Sequence, residues 1–178
     1  GGSATSEGGA GMLQALGYDI RDKGGNPVKQ GIQGLDSIDS ICGENVPEVL
    51  KECHFSIACD VKNPLCGENG AVYLYGPQNG VKEEEKQIFD EKMKHFADKT
   101  QEYTGTDFRM TEGAGAAGGL GFAFLSYLPN VELKSGIDIV LKAIGLENEV
   151  QDADIVITGE GRLYFQTAMG KVPVGVAR

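Results

Sequence analysis

The stretch that decides the fold runs DIVITGEGRLYFQTAMGKVPVGVAR, from Asp154 to Arg178. Its opening residues, Asp154 to Thr158, are β-branched and apolar, the composition of a parallel strand buried on both faces. A glycine turn carrying Glu160 and Arg162 follows, and a helix is predicted to open at Gln166-Thr167. A strand that feeds a helix through a glycine turn leaves backbone N–H groups free, where an anion can sit. Thr158, Glu160, Arg162, Thr167 and Lys171 crowd that junction, a set suited to phosphate, a metal ion and a charged ligand. The predicted class is mixed α/β.

Composition narrows the field. Glycine supplies 27 of 178 residues, about twice the usual ~7%. The glycines are clustered, with helix-like segments between them, which argues for a folded chain. A net charge of −10 argues against nucleic acid, whose phosphates require basic surface, and against an anionic membrane. No apolar run approaches the roughly 18 residues of a spanning helix, and the first residues do not read as a signal peptide. Cys42, Cys53, Cys59 and Cys66 form no CxxC pair, and His54 and His95 form no HxxxH, so a zinc site is not expected. Scattered cysteines in an acidic chain read as reduced core residues and predict a cytoplasmic protein.

Along the chain, residues 1–11 read as a glycine-rich loop leading into a short helix, Met12 to Leu16, stopped by Gly17. Residues 18–35 read as a hairpin closed by Gly24-Gly25-Asn26-Pro27. His54 to Val61 and Ala71 to Tyr75 read as strands, the first of them buried. Val81 to Tyr103 reads as the longest helix, with Ile88, Phe89, Lys92, Met93 and Phe96 near the 3–4 spacing of one apolar stripe. Its charge run, Lys82 to Lys86, reads as a solvated face. Gly121 to Leu128 and Leu133 to Ile144 are predicted as two further helices parted by Pro129-Asn130. No internal repeat and no linker-like stretch interrupts this pattern.

Several segments carry possible chemistry. Gly113, Gly115 and Gly118 match GxGxxG, but the polar stretch Thr104 to Glu112 lacks the strand that a dinucleotide fold requires. A nicotinamide enzyme is therefore the weakest reading. As an anion-binding helix start the segment is better, while close helix packing, permitted by missing side chains, is the plain alternative. Asp60 and Asn63 stand at the carboxyl end of the His54–Cys59 run, where open α/β sheets bind ligands. Turn capping before Pro64 would account for them equally well. Gly76 to Gly80 reads as a plain turn, Lys82, Lys86 and Lys99 as surface charges, and both histidines as ordinary core or helix-face residues.

Together these segments resemble the type 1 glycerate kinase family, ATP-dependent enzymes that phosphorylate D-glycerate. The resemblance rests on GGSATSEGGAGMLQALG (1–17), ACDVKNPLCGENGA (58–71), YGPQNG (75–80), GAGAAGGLG (113–121) and ITGEGRLYFQTAMGKVPVGVAR (157–178), in the family's order. It implies ATP, Mg²⁺ and D-glycerate. On that view the chemistry of the side chains suggests catalytic roles for Glu7, Asp60, Glu160, Arg162 and Lys171, with Asp60 and Glu160 as metal ligands. Gly113, Gly115, Gly118, Gly119, Thr158 and Thr167 would hold the nucleotide, and Ser3, Asn63 and Gln166 the substrate. The implied architecture is the inserted domain of a two-domain fold, three-layer-like with a mixed sheet, plus short flanks of a discontinuous Rossmann-like domain. In the family the active site lies in the cleft between the two domains. This sequence resembles the middle portion of the family's chain, so the 178 residues are expected to be inactive alone.

Two departures leave an alternative open. Ser6-Glu7 stands where the family has Asn-Asp, and Tyr164 where it has Asp. A neutral phenol cannot hold Mg²⁺ or take a proton near pH 7 as a carboxylate does. The alternative is a non-catalytic, degenerate domain that binds a ligand or associates with itself. A homo-oligomer is among the partners this reading allows.

Overall fold

In the computed structural model of the chain, residues 5–161 and 172–177 are described. Two compact units emerge, one formed by Gly1–Phe55 with Val61–Glu132, the other by Ser56–Asp60 with Leu133–Arg178.

The first unit is organised around one long helix. Helix α1 (Ala10–Ala15) leads into strand β1 (Asp19–Arg21), which pairs antiparallel with β2 (Ser40–Cys42), Ile20 opposite Ile41. The expected turn after β1 is present. Asp22 Oδ1 accepts the N–H groups of Gly24 and Asn26, both at 2.9 Å, and Val28 N–H returns to the Ile20 carbonyl at 3.1 Å. Its second arm, however, amounts to a single Arg21–Pro27 bridge, and the durable partner of β1 comes from farther along the chain.

Helix α2 (Ala71–Tyr75) overturns the expectation of a strand there. Five residues are too few for periodicity to separate strand from helix, and tertiary contacts decide: Ala71 and Val72 are fully buried, and the Ala71 N–H bonds the Leu65 carbonyl at 2.9 Å. Helix α3 (Lys86–Thr104) follows a 3₁₀ turn, Glu83–Glu85. That turn is tied by the Lys82 N–H to Glu85 Oε2 at 3.0 Å. Gly105, at φ 77, ends α3 in the left-handed conformation that glycine adopts without Cβ strain. Phe89, Met93, Phe96, Ala97 and Thr100 form its buried stripe. Ile88, expected within the stripe, is 57% exposed, because it sits one residue off the core-facing row.

Helix α4 (Ala116–Tyr127) crosses the same core with Phe122 and Ala123 wholly buried. Phe96 and Phe122 meet edge to face at 5.8 Å. Tyr18, Tyr103 and Tyr127 form a second aromatic cluster, with Tyr18 and Tyr127 centroids 5.0 Å apart. The Tyr127 hydroxyl meets Thr100 Oγ1 at 2.8 Å, and the Tyr18 hydroxyl donates to the Tyr127 carbonyl at 2.9 Å. Burial pushes the Tyr127 phenol well above its ordinary range. Asp90, nearly buried, accepts the Gly67 N–H at 2.9 Å and pairs with Lys94 at 3.1 Å.

Strand β3 (Phe55–Ala58) pairs with β4 (Val131–Lys134). Within the first unit Phe55 N–H bonds the Asn130 carbonyl at 3.0 Å, and within the second Cys59 N–H bonds the Lys134 carbonyl at 2.7 Å. β3 alternates half-buried and exposed residues, so it is a one-sided strand and not the fully buried one expected. The helix expected from Leu133 instead begins as β4, and α5 (Gly136–Ile144) opens only after Ser135. The second unit continues with α6 (Leu146–Val150) and α7 (Val172–Val176). Gly175 of α7 leaves room for Ile137 of α5, which a Cβ would meet within 2.5 Å.

Two corrections concern the sheet. Asp154 to Thr158 has no regular secondary structure, with Ile155 80% and Ile157 92% exposed. Where a mixed sheet in three layers was expected, the described residues carry two two-stranded sheets. The mixed α/β class stands. The helix expected at Gln166-Thr167 lies outside the described residues.

The thiols make this packing testable. Cys66 is 5% exposed while Cys42, Cys53 and Cys59 are half-buried. Burial, with the Asp90 charge nearby, pushes the Cys66 thiol from 9.0 up to about 12. A disulfide reagent at pH 8 is expected to modify three thiols readily and Cys66 only on unfolding, because the thiolate is the reactive form. The raised value also means the fold holds a proton that the unfolded chain releases. The stabilisation is intact below pH 9 and is lost progressively as pH climbs toward 12.

Candidate functional site

Three loops of the first unit line an open pocket of about 700 Å³. The first is Thr5 to Gly11, where Gly8 and Gly9 take positive φ, 69° and 85°, and carry the chain into α1. Glu7 fixes this loop. Its Oε1 accepts the Thr5 hydroxyl at 3.0 Å and its Oε2 the Gly11 N–H at 2.7 Å, so the carboxylate compensates the positive start of α1. The second is the turn Gln30–Gln33, and the third the segment Asn79–Val81 that precedes α3. Asn79 Nδ2 donates to Ser6 Oγ at 2.8 Å, joining the first loop to the third. Glu85 and Phe89 complete the wall. Among the described lining residues two are carboxylates, Glu7 and Glu85, and none is cationic.

The glycines of 113–121 sit behind this loop and brace it. Gly8 N–H bonds the Gly118 carbonyl at 3.0 Å. A Cβ on Gly119 would stand 2.6 Å from Gly8 Cα, and one on Gly118 still closer to the Thr5 carbonyl. Gly115 leaves the same kind of room for Asn63 and Pro64. Backbone turns left-handed at Ala117, Gly118 and Gly119, which brings the two glycine segments into direct contact. The N–H groups of Ala114, Gly115 and Ala116 are taken by the carbonyls of Thr111, Asn63 and Gly113. Those three donors face protein and not an anion. The stretch before Gly113 contains the end of α3 and turns, with no strand, as expected for a segment that is not a dinucleotide fingerprint.

Asn63 is equally structural in its contacts. Its Oδ1 accepts the Tyr75 hydroxyl at 2.9 Å, and its own carbonyl takes the Gly115 N–H at 3.1 Å. In the second unit Asp60 Oδ1 accepts the Gly136 N–H at 2.8 Å, capping the start of α5. Thr158 is exposed and Glu160 half-buried there. Ser3, Arg162, Gln166, Thr167 and Lys171 lie outside the described residues. No group of three or more His, Cys, Asp or Glu side chains is poised to hold a metal among the described residues. His95 bonds the Ile38 carbonyl through Nε2 at 2.7 Å, an ordinary helix-face role. Lys86 pairs with Glu83 and Lys99 with Glu102.

Sequence reasoning missed Gln30, Gln33, Asn79, Glu85 and Phe89 as cavity residues. Only Asn79, inside the Gly76–Gly80 turn, carried a signal, since Gly80 at φ 88 required an unusual turn at that point.

This mixed α/β arrangement, with one glycine loop walling a polar cavity and a second bracing it, has close counterparts. The glycerate kinase family model matches residues 1–178, and the chain belongs to that family. A glycerate kinase of Bacillus subtilis strain 168 is 49% identical over all 178 residues, which cover 46% of it. One from Haemophilus influenzae is 48% identical, again over the whole chain and 47% of the relative. A glycerate 2-kinase of Escherichia coli K12 is 45% identical over 99% of this chain and 46% of its own length. A solved chain from Salmonella typhimurium LT2 that carries the name glycerate kinase 2 superposes with a TM-score of 0.90 at 45% identity, over 99% of this chain and 47% of that one. The chain thus spans about half the length of the relatives it matches. No helix among the described residues is long and apolar enough to cross a membrane.

Proposed function

We propose that these residues serve ATP-dependent phosphorylation of D-glycerate, and that the 178-residue chain by itself supplies only part of the machinery. The observation that carries the reading is the cavity walled by Thr5–Gly11 and Asn79–Val81, two segments of the family pattern that a direct Ser6–Asn79 hydrogen bond brings together. Phosphoryl transfer asks little covalent chemistry of a protein; it asks for positioning and charge neutralisation. Glu7 orients the first loop, and Gly118 and Gly119 hold it in place through backbone contact, with Gly113 and Gly115 shaping the turn behind them. Asp60, whose Oδ1 is anchored on Gly136, retains acceptor capacity on its carboxylate and with Glu160 would hold Mg²⁺. When bound, Mg²⁺·ATP supplies the transferable phosphoryl group and screens its charge, the metal needing only one or two protein carboxylates beside phosphate and water. Arg162 and Lys171 are assigned to charge neutralisation, Thr158 and Thr167 to the nucleotide, and Ser3, Asn63 and Gln166 to glycerate. The cytoplasm is the proposed compartment, without nucleic-acid or membrane partners.

A coupled assay tests this reading. A polypeptide of the family's full length carrying this sequence is expected to convert D-glycerate and ATP, and the 178-residue chain to show no turnover above a Lys171→Ala control. Lost positioning alone removes roughly 7–11 kcal/mol of barrier reduction in a well-oriented reaction. Silence of the full-length polypeptide would favour the degenerate alternative, and turnover by the short chain would refute its dependence on further residues.

A further inference from the structure

We infer that the cavity walled by Glu7, Gln33, Asn79, Val81, Glu85 and Phe89 takes the base and ribose of the nucleotide, not its triphosphate and not the acid substrate. The inference rests on the kinase reading above, which supplies a nucleotide as ligand.

Charge is the first argument. Both charged residues of the described lining are carboxylates. An anionic group seated among them would meet like charge, worth about 4 kcal/mol per pair at 4 Å near a protein surface. Triphosphate and glycerate are both anions, whereas a nucleoside is neutral. Size is the second. An open pocket of about 700 Å³ has the volume of sites that take drug-sized ligands, and a three-carbon acid would leave most of it to water.

The chemistry of the wall agrees. Val81, Phe89 and the neighbouring Ile32 offer apolar surface to the faces of a heterocycle. Glu7 has one bond on each oxygen, and Glu85 Oε2 accepts the Lys82 N–H. A carboxylate has about four lone-pair sites, so both retain capacity for hydroxyl donors. Paired ribose hydroxyls are the natural donors, as where an acidic residue reads a ribose in dinucleotide folds. Gln33 and Asn79 contribute amides, each both donor and acceptor, the pattern a base edge requires. Asn79 is held to one orientation by Ser6 Oγ, leaving its carbonyl and second N–H to contact ligand.

The test is an equilibrium titration of the 178-residue chain with adenosine, D-glycerate and inorganic tripolyphosphate in turn. Chains labelled with ¹⁵N-glycine are followed by NMR. Adenosine is expected to shift the amides of Gly11, Gly31 and Gly80, which line the cavity, and to leave Gly105 and Gly145 in place. Val81→Trp, which fills the wall, should weaken adenosine at least about tenfold, a ratio that titration separates easily. Gln33→Leu at an exposed position provides a second variant should the tryptophan disturb folding, and it should weaken adenosine several-fold.

Shifts at the cavity glycines produced by D-glycerate or tripolyphosphate and not by adenosine would overturn the assignment. So would adenosine binding that ignores both variants, or no adenosine binding at all. The kinase reading is judged separately by the coupled assay with unmodified protein, so ATP-dependent turnover together with an adenosine-indifferent cavity would sink this inference alone.

Discussion

Phe96→Ala is expected to destabilise the first unit by about 3–5 kcal/mol, the usual cost of removing a large aromatic from a closed core. Phe96 is fully buried near the middle of α3 and packs edge to face on Phe122 of α4. Its ring also lies against the first glycine loop: a Cβ on Gly8 would stand 2.8 Å from two of its carbons. Alanine there removes the aromatic pair and leaves a cavity directly beneath that loop. Ile88→Ala on the same helix is the control. Ile88 is 57% exposed, and its truncation should stay within about 0.5 kcal/mol. Urea unfolding of both variants decides the matter, and equal shifts in midpoint would mean that the core does not run where α3 and α4 meet.

Gly121→Ala carries the second large effect, and its sign is the informative part. Helix propensity alone favours alanine over glycine inside a helix by about 1 kcal/mol. Gly121 lies within α4, but a Cβ there would fall within 2.1 Å of the Gly113 carbonyl oxygen. That oxygen is backbone, and it also accepts the Ala116 N–H at 3.0 Å, so yielding would distort the turn that braces the first loop. Net destabilisation of about 2–3 kcal/mol is expected from overpacking of this kind. A measured gain in stability would show that the segment accommodates the methyl and is looser than these distances imply.

The long helix was legible because its pattern had room to repeat. Phe89, Met93 and Phe96 recur over about two turns of a long helix, enough for the period to show. Ala71 to Tyr75 shows the opposite case: a run of five residues carries no usable period, and the contact of Ala71 with Leu65 settles its form. Asp154 to Thr158 has the composition of a buried strand but none of the burial, because composition reports preference and not the presence of neighbours. The cavity was half legible. Glycines marked the first loop and the segment that braces it. Gln33, Glu85 and Phe89 converge from distant positions as ordinary polar or core residues with nothing local to distinguish them, and only Asn79 lay in a glycine-marked turn.

The aromatic cluster of Tyr18, Tyr103 and Tyr127 has a practical corollary. The protein contains no tryptophan and six tyrosines. Five of these, the three clustered rings with Tyr73 and Tyr75, belong to the first unit, while the sixth, Tyr164, lies outside the described residues. Intrinsic ultraviolet emission and near-ultraviolet dichroism therefore report chiefly on one unit, with Tyr164 the single tyrosine of the other. A melting curve read from tyrosine light follows the glycine-loop unit, whereas far-ultraviolet dichroism averages over both. Any gap between the two curves measures how tightly the melting of one half of the molecule is tied to that of the other.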